Sequence, residues 1–357
     1  MSIGFLKGDI IPLMPNTINE IKKLNLEIFF ERNIAQNIYI DDEEFEKLGA
    51  RALNKQEILN SCDILVYYKF NYDDVEHIRR GSVLIGLFDP FVNKEKLKLL
   101  LEKQLTIFSL ELIPRISRAQ SMDVLSSLAT IAGYKAVIIS AYYFNRIFPL
   151  LMTSAGNLLP AKVFIIGAGV AGLSAIATAK RLGAYVSAYD VRISVKEQVE
   201  SLGAKFVDLG LFSEEEKYGY ARKMDEEFYR KQREALKEYL KDVDIVITTA
   251  SVIGAKAPIL ITKDMVEVMK KGSIIVDLAV EKGGNCELTK YNEIYEYNGI
   301  KIIGIPNLPA LVPYHSSFMF SNNIKNFLKI IIKDGSLNLN FNDEIIRETL
   351  ISNEKVI

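Results

Sequence analysis

The sequence predicts an α/β protein with two parallel-sheet domains, the second inserted into the first. Short apolar runs of strand length alternate with helical stretches in two separate series along the chain. A glycine signature, GAGVAG, directly follows the first strand of the second series. The chain then closes with one long amphipathic helix, and a lone final helix of this kind often returns to the first domain.

The first series accounts for the N-terminal domain. Its predicted strands are SIGFL, LEIFF, DILVYYK, SVLIGLF and LTIFSLEL, and its predicted helices are PNTINEIKKLN, DDEEFEKLGA and NKEKLKLLLEKQ. This alternation is typical of a parallel sheet covered by helices. A long, largely apolar helix over about residues 119–145 then leads out of the series.

The second series begins after that helix. Its predicted strands are KVFII, AYVSAYD, KFVDL, DIVITTA, SIIVDLAV and KIIGI. Its predicted helices are residues 170–182, DEEFYRKQREALKEYLKD and ITKDMVEVMKKG, the last ending on Gly272, and HSSFMFSNNIKNFLKIIIKDG is the final helix. The predicted domains are therefore residues 1–128 with 307–357, and residues 129–306.

Composition excludes several classes of function. A net charge of −1 over 357 residues gives no reason to expect nucleic acid as a partner. Two cysteines, Cys62 and Cys286, fit a reducing cytoplasm. The apolar run 163–179 falls short of the about 20 residues of a spanning helix, and the N-terminus resembles no signal peptide. We therefore expect a cytoplasmic protein without direct membrane insertion.

The strongest signal in the sequence is a glycine-rich turn between a strand and a helix. Gly167, Gly169 and Gly172 form G-x-G-x-x-G, which allows a tight turn, close approach of a pyrophosphate and close helix packing. The pyrophosphate is expected at the N-terminus of the helix. Asp190 ends the next strand, where an acid binds the adenosine ribose and repels a 2′-phosphate. The pattern predicts NAD rather than NADP, a preference that Arg192 could weaken.

The polar stretch PRISRAQSMD, residues 114–123, suggests the reaction. It holds two arginines, two serines, a glutamine and an aspartate, but neither His nor Cys. Dehydrogenases of alcohols and amines need a proton acceptor, and the two histidines, His77 and His315, lie in no obvious catalytic context. Hydride transfer between two nicotinamide rings moves no proton and needs rigid orientation of the ring. Amide, hydroxyl and Arg–Asp groups supply that orientation.

These segments resemble the NAD(H)-binding component, domain I, of proton-translocating transhydrogenase, and more distantly alanine dehydrogenase. The resemblance rests on PRISRAQSMDVLSS, AGYKAVIISAYYFNRIFPLLMTSAG, GAGVAGLSAIATAKRLGAYVSAYDVR, VKEQVESLGAKF and IIVDLAVEKGGNC. It implies two Rossmann-like domains, a homodimer, and docking on a separate NADP(H)-binding domain that is tied to a proton-conducting membrane domain. The chain is thereby expected to be peripheral at the inner membrane, with NADP(H) supplied by that partner.

The resemblance also implies the site residues. In the nicotinamide loop, residues 115–126, the residues that position the ring are Arg115, Gln120, Asp123 and Ser126. Gln120 is expected near the carboxamide and the incoming NADP(H), and Tyr220 in a mobile loop that closes over NAD(H). The implied cofactor-binding residues are Ile116, Ser117, Gly167, Ala168, Gly169, Val170, Gly172, Asp190, Val191, Arg192, Gly219, Tyr220, Met224, Gln232 and Ser251. No metal site is expected.

Two alternative functions stay open. An amino-acid dehydrogenase like alanine dehydrogenase keeps a histidine in the region GLFD, where this chain has Leu87 and Phe88. Lys69 falls near the position of that family's substrate-contacting lysine, and we interpret it as a buried lysine at a strand end. A non-catalytic NAD-binding regulatory protein is disfavoured because sensing NAD does not require the polar nicotinamide loop.

Overall fold

The structure, a computed structural model, describes residues 1–212, 226–251 and 254–352. The chain forms two compact units, residues 1–128 with 312–357, and residues 129–311. The predicted domains divide at residues 306 and 307, and the structural units divide at 311 and 312. Each unit is built on a seven-stranded sheet.

The first unit begins with six strands and four helices. The strands are β1 Ser2–Phe5, β2 Glu27–Glu31, β3 Arg51–Leu53, β4 Ile64–Lys69, β5 Val83–Leu87 and β6 Thr106–Ser109, and the helices are α1 Pro15–Lys22, α2 Asp42–Lys47, α3 Lys55–Ser61 and α4 Lys94–Glu102. A short 3₁₀ helix, Ser117–Met122, then precedes α5, Val124–Tyr143. By length and composition alone α5 is able to cross a membrane, a test that the core helix of a soluble protein also passes.

The second unit contains an exposed hairpin and a doubly wound sheet. Its strands are β7 Leu151–Thr153, β8 Gly156–Leu158, β9 Lys162–Ile166, β10 Tyr185–Tyr189, β11 Lys205–Phe206, β12 Ile245–Thr248, β13 Ile274–Asp277, β14 Glu293–Tyr297 and β15 Ile300–Gly304, and its helices are α6 Val170–Arg181, α7 Lys196–Ser201, α8 Glu226–Leu240 and α9 Lys263–Val266. The strand order is β11-β10-β9-β12-β13-β15-β14, parallel except for β14. Without β14, this is the strand order of a dinucleotide-binding Rossmann sheet.

The end of the chain completes the first unit. It consists of α10 Pro313–Ile331, β16 Ile332–Lys333, β17 Ser336–Leu337, α11 Glu344–Thr349 and β18 Leu350–Ile351. The sheet order is β18-β6-β5-β4-β1-β2-β3, and only β18 runs antiparallel. The prediction of two parallel-sheet α/β domains is thereby confirmed, with one antiparallel edge strand in each sheet.

Burial on both faces explains why strand β9 of the second unit was predictable from the sequence. Along β9, Val163 and Ile165 enter one core, and Phe164 and Ile166 enter another. Successive side chains of a strand point to opposite faces, so a strand covered on both faces is apolar throughout. The run KVFII was predicted as a strand for this reason, and β9 has the same bounds.

The differences from prediction lie at element ends and edges. The helix predicted to end on Gly272 is α-helical only over Lys263–Val266, and the chain then turns through Gly272, at φ +86°, into β13. The strand predicted at KFVDL pairs only over Lys205–Phe206, at one edge of the sheet. The predicted long helix starts five residues later, at Val124. Strands β3, β7, β8, β14, β16, β17 and β18 and helices α3, α7 and α11 were not predicted.

Candidate functional site

The glycine turn lies at the point where the strand order of the second unit reverses. Strands β9 and β12 are neighbours, and the connections from them lead to opposite sides of the sheet. Ligands of doubly wound sheets bind at the carboxyl ends of such strands. Residues 167–172 follow β9 there, and Thr249 follows β12. The Thr249 hydroxyl donates to the Gly167 carbonyl oxygen at 2.9 Å, which joins the two strand ends.

Each glycine of the signature has a physical reason. Gly167 has φ +100°, and a Cβ there would lie 2.5 Å from Thr249 Oγ1. A Cβ on Gly172 would lie 1.9 Å from the Gly167 carbonyl oxygen, so α6 packs against the turn only with glycine there. Among the described residues, a Cβ on Gly169 would meet only Arg192 Nη2, at 3.8 Å. The open side at Gly169 fits the approach of a pyrophosphate.

The first turn of α6 has no side-chain cap. Its N-cap is Gly169, and no acidic residue lies in the first turn. The amide groups and the dipole at this helix end therefore favour an anion. Val170, the first residue of α6, is exposed, and Ala168 is buried in the turn.

Asp190 is a buried carboxylate with a full set of donors. One oxygen accepts from Ala168 N at 2.7 Å and Arg192 Nη2 at 2.8 Å. The other accepts from Arg192 N at 2.8 Å and Arg192 Nε at 2.9 Å. The carboxylate thus joins the glycine turn to the end of β10, and a ribose diol that binds Asp190 must replace contacts of the Arg192 guanidinium.

Changing Asp190 to alanine is expected to lower NADH affinity about 10- to 100-fold, since the two charge-assisted hydrogen bonds predicted with the ribose would be lost. NADPH affinity should fall less or rise, because Arg192 is then released to pair with a 2′-phosphate. Fluorescence titration with NADH and with NADPH measures the ratio of the two affinities. An equal loss for the two nucleotides would contradict the assigned role of Asp190.

The nicotinamide loop presents some of its side chains and buries others. Arg115, Ser117 and Gln120 are exposed, and Ile116 is half-buried. Ala119 and Met122 are buried in the first unit. Gln120 is therefore carried on a segment whose neighbouring side chains are packed.

The structure gives Asp123 and Ser126 a local role. Asp123 directly precedes α5, and its carboxylate accepts from Ser126 N at 2.9 Å and from Ser126 Oγ at 2.6 Å. A side-chain oxygen that accepts from the third residue of a helix caps that helix. The two residues bond each other, and the cap fixes where the loop becomes a helix. Their contact with a nicotinamide ring stays a prediction.

The two arginines of the loop are not equivalent. Arg118 forms a forked ion pair with Asp343, at 2.8 and 2.6 Å. The hydrogen bonds from Arg118 hold the pKa of Asp343 below its usual range. Arg115 is exposed. The sequence did not indicate that Arg118 pairs with Asp343.

Other predicted site residues have mixed placements. Val191 packs against the core of the second unit, and Ser251 Oγ accepts from Lys282 Nζ at 3.2 Å. Gln232 is buried and donates to the Tyr189 hydroxyl at 3.1 Å, so in this structure it is a core residue. The predicted lid residues Gly219, Tyr220 and Met224 lie outside the described residues.

The structure adds a network that the sequence did not indicate. Asp277, at the end of β13, is fully buried and accepts from Thr248 Oγ1, Thr289 Oγ1 and three backbone N–H groups. One of those groups belongs to Asn285, whose carboxamide bonds both the N–H and the carbonyl of Ala250. Ala250 is next to Thr249, so this network fixes the segment that contacts the glycine turn. The sequence held one indication of this network: Thr249 directly follows β12, a strand next to the point where the strand order reverses.

The residues that could act as an acid or base in an amino-acid dehydrogenase have clear placements in the described part of the chain. His77 and His315 are both exposed. Leu87 and Phe88 are buried, and Phe88 stacks on Phe70 with ring centroids 5.0 Å apart. The interpretation of Lys69 as buried was wrong, because the last residue of β4 points its side chain to solvent.

Both cysteines are buried as free thiols. Burial raises the pKa of Cys62 and that of Cys286 to about 11, so both stay protonated at neutral pH. A protonated thiol is a poor nucleophile. The structure therefore gives neither cysteine the character of a catalytic nucleophile.

Comparison with known proteins shows the family. The pattern described as "Alanine dehydrogenase/PNT, N-terminal domain" matches residues 9–132, and its C-terminal counterpart matches residues 136–357. The protein named as the first part of NAD(P) transhydrogenase subunit alpha in Rhodospirillum rubrum is 41% identical over 361 residues, 98% of this chain and 94% of the relative. The protein of the same name from Rickettsia prowazekii is 39% identical over 349 residues, 96% of this chain and 91% of the relative.

A solved structure agrees with the sequence relatives. Transhydrogenase from Sinorhizobium meliloti has a TM-score of 0.89 and 38% identity, covering 99% of both chains. An L-alanine dehydrogenase structure has a TM-score of 0.78 and 22% identity, over 98% of this chain and 94% of that chain, and shows the shared fold. The chain therefore belongs to the alanine dehydrogenase/PNT family and is related within it to the first part of the alpha subunit of NAD(P) transhydrogenase.

Proposed function

We propose that this chain is the NAD(H)-binding subunit of a proton-translocating transhydrogenase. The second unit binds NAD(H): the N-terminus of α6 holds the pyrophosphate, and Asp190 binds the adenosine ribose. The nicotinamide loop, residues 115–126, is proposed to orient the ring. The observation that carries the proposal is the exposed Gln120 on an anchored loop that holds neither histidine nor cysteine and whose aspartate, Asp123, bonds Ser126.

The proposed reaction needs no proton acceptor. A C4–H bond of one dihydronicotinamide breaks with its electron pair, a C–H bond forms at C4 of the other nicotinamide, and one NADPH and one NAD⁺ become NADP⁺ and NADH. Catalysis of such a step rests on orientation and on exclusion of water. Oxidation of an amino acid needs a base, and the buried Leu87 and Phe88 supply none. Alanine dehydrogenase activity is therefore not proposed.

The proposed partners follow from the same reaction. NADP(H) is bound by a separate domain, which in turn is tied to a proton-conducting membrane domain. The chain is then cytoplasmic and peripheral at the inner membrane through those partners. Supporting this assignment, the sequence relatives carry the name of one portion of an alpha subunit.

An exposed apolar hairpin in the second unit supports a homodimer. Every strand residue of β7 and β8 is exposed, including Met152 at 78%, and Leu159, next to the hairpin, is 80% exposed. A two-stranded hairpin is marginal alone, and an exposed apolar patch marks an interaction surface. We propose that a second copy of this chain covers the hairpin.

Changing Met152 and Leu159 together to aspartate is expected to convert a dimer into a monomer, because charges at an apolar interface must be desolvated. Sedimentation velocity measures the mass. Gln198→Glu, at an exposed position of α7 outside the hairpin, is the control that adds a charge elsewhere in the same unit and should leave the mass unchanged. A doubly altered chain that still sediments as a dimer would place the interface elsewhere.

A reconstitution assay tests the proposed function. The purified chain is mixed with a soluble NADP(H)-binding domain of a transhydrogenase, and reduction of an NAD analogue by NADPH is followed by absorbance. Each protein is also assayed alone. Transfer that requires both proteins supports the proposal. Tight NADH binding without transfer in the mixture would instead support a regulatory NAD-binding protein.

A further inference from the structure

The nicotinamide loop is held by side chains from the opposite end of the chain. The Ser121 carbonyl oxygen accepts from Asn323 Nδ2 at 2.9 Å and from Asn326 Nδ2 at 3.1 Å. Arg118 forms its forked pair with Asp343. Ser121 directly follows Gln120, and Arg118 lies two residues before it. The backbone of Gln120 is therefore anchored on both sides by the C-terminal segment.

Helix α10 is a firm support for the two amides. The Phe320 ring packs edge-on against Tyr68 with centroids 5.5 Å apart, and Phe327 packs in the same way against Phe108. Ser317 Oγ also accepts from Ile11 N at 2.9 Å. Because these contacts join the helix to the core and sheet of the first unit, the amides on α10 have fixed positions.

Asn323 is an unusual choice for a purely structural position. It is 5% exposed, and its Oδ1 has no hydrogen-bond partner among the described residues. A buried acceptor without a partner destabilises the folded state. A small apolar residue would avoid this cost but would give up the donor to Ser121. We infer that asparagine occupies this position because its amide donates to the Ser121 carbonyl oxygen.

Asp343 is likewise placed by more than one contact. It directly precedes α11, and its Oδ1 accepts from Ile345 N at 2.9 Å, which caps that helix. The carboxylate is 14% exposed, and the forked geometry with Arg118 gives direction as well as attraction. The loop is thus connected to the start of α11, as well as to α10.

We propose that Asn323, Asn326 and the Arg118–Asp343 pair are positioning residues that fix Gln120 for hydride transfer. They touch neither nucleotide. They hold the backbone from which the exposed Gln120 side chain projects. The inference rests on the proposed function, and it assigns the C-terminal helices a role in the transfer step.

The first test removes both amides. Asn323→Ala with Asn326→Ala is expected to lower single-turnover hydride transfer about 10- to 100-fold, because misplacement by about 1 Å has effects of this size. NADH affinity, measured by fluorescence, should stay within about threefold, since adenosine and pyrophosphate contacts are unchanged. Thermal unfolding checks that the variant is folded.

A matched control lies on the same helix. Asn322 donates to the Phe318 carbonyl and accepts from Lys325 Nζ, both within α10. Asn322→Ala therefore removes an amide from α10 without touching the loop, and it should transfer hydride at the unaltered rate. A graded series at Arg118 gives a second test, in which Arg118→Lys should keep more transfer than Arg118→Met because lysine still pairs with Asp343.

The outcomes separate two failures. If the unaltered chain transfers no hydride, the proposed function and this inference both fail. Only the positioning inference fails if the unaltered chain and the doubly altered chain transfer hydride at the same rate. It also fails if Asn322→Ala lowers the transfer rate as much as the double substitution does. A parallel loss of NADH affinity and transfer rate would show a general loss of structure and would also overturn it.

Discussion

Replacing Gln120 with asparagine is expected to lower the rate of hydride transfer at least about 100-fold and to leave NADH affinity within about threefold. The substitution keeps the carboxamide and shortens its reach by one methylene. The backbone at this position cannot shift to compensate, since Ala119 and Met122 are buried and the Ser121 carbonyl accepts two amides. The amide therefore falls short of the rings that it is proposed to orient.

Single-turnover reduction of an NAD analogue by NADPH, in the presence of the NADP(H)-binding domain, measures this effect. Gln36→Asn is the matched control, because Gln36 is exposed and begins another 3₁₀ helix of the first unit. It should leave the transfer rate unchanged. Transfer at a normal rate by Gln120→Asn would show that the carboxamide does not orient the rings.

The division between binding and transfer distinguishes the proposed function from a regulatory one. A sensor of NAD needs affinity, which we propose that the glycine turn and Asp190 supply. It has no need for an exposed glutamine on a loop anchored by two amides and an ion pair. A Gln120 variant that loses transfer and keeps affinity is therefore a result that a sensor does not predict.

Sequence patterns predicted what depends on local order along the chain. The glycine turn was predictable because steric limits at Gly167 and Gly172 admit only glycine. Strand β9 was predictable because both of its faces are buried. In each case the physical constraint acts within a few residues, so that it leaves a local pattern.

Contacts between distant segments left no such pattern. Asn323 lies 202 residues from Ser121, and Asp343 lies 225 residues from Arg118. An asparagine in an amphipathic helix and an aspartate in a polar tail have many ordinary roles, so that neither residue alone indicates its partner. The family resemblance indicated which residues form the nicotinamide loop. The contacts that anchor this loop were found only in the structure.

Changing Asp277 to alanine is expected to destabilise the protein by about 3–5 kcal/mol. The fully buried carboxylate accepts five hydrogen bonds, and alanine leaves all five donors without this acceptor. Two of these donors are the hydroxyls of Thr248 and Thr289, which are able to turn elsewhere. The three backbone N–H groups are not, and they account for most of the loss.

The effect should extend to the nucleotide site. Asp277 holds the backbone of Asn285, whose carboxamide holds Ala250 at 3.0 and 2.9 Å. Ala250 follows Thr249, the donor to the Gly167 carbonyl. Urea unfolding measures the stability, and NADH titration in the folded range measures the affinity, which we expect to fall about tenfold or more as the turn loses its support.

A surface carboxylate of the same unit provides the comparison. Asp242 pairs with Lys162 and Lys270 at the surface, and Asp242→Ala should change neither the unfolding midpoint nor NADH affinity measurably. If Asp277→Ala unfolds earlier but still binds NADH normally, the network supports the fold alone. A second outcome is that Asp277→Ala lowers both stability and NADH affinity, whereas Thr249→Val lowers only NADH affinity. In that case the network supports the fold and also fixes the glycine turn through Thr249.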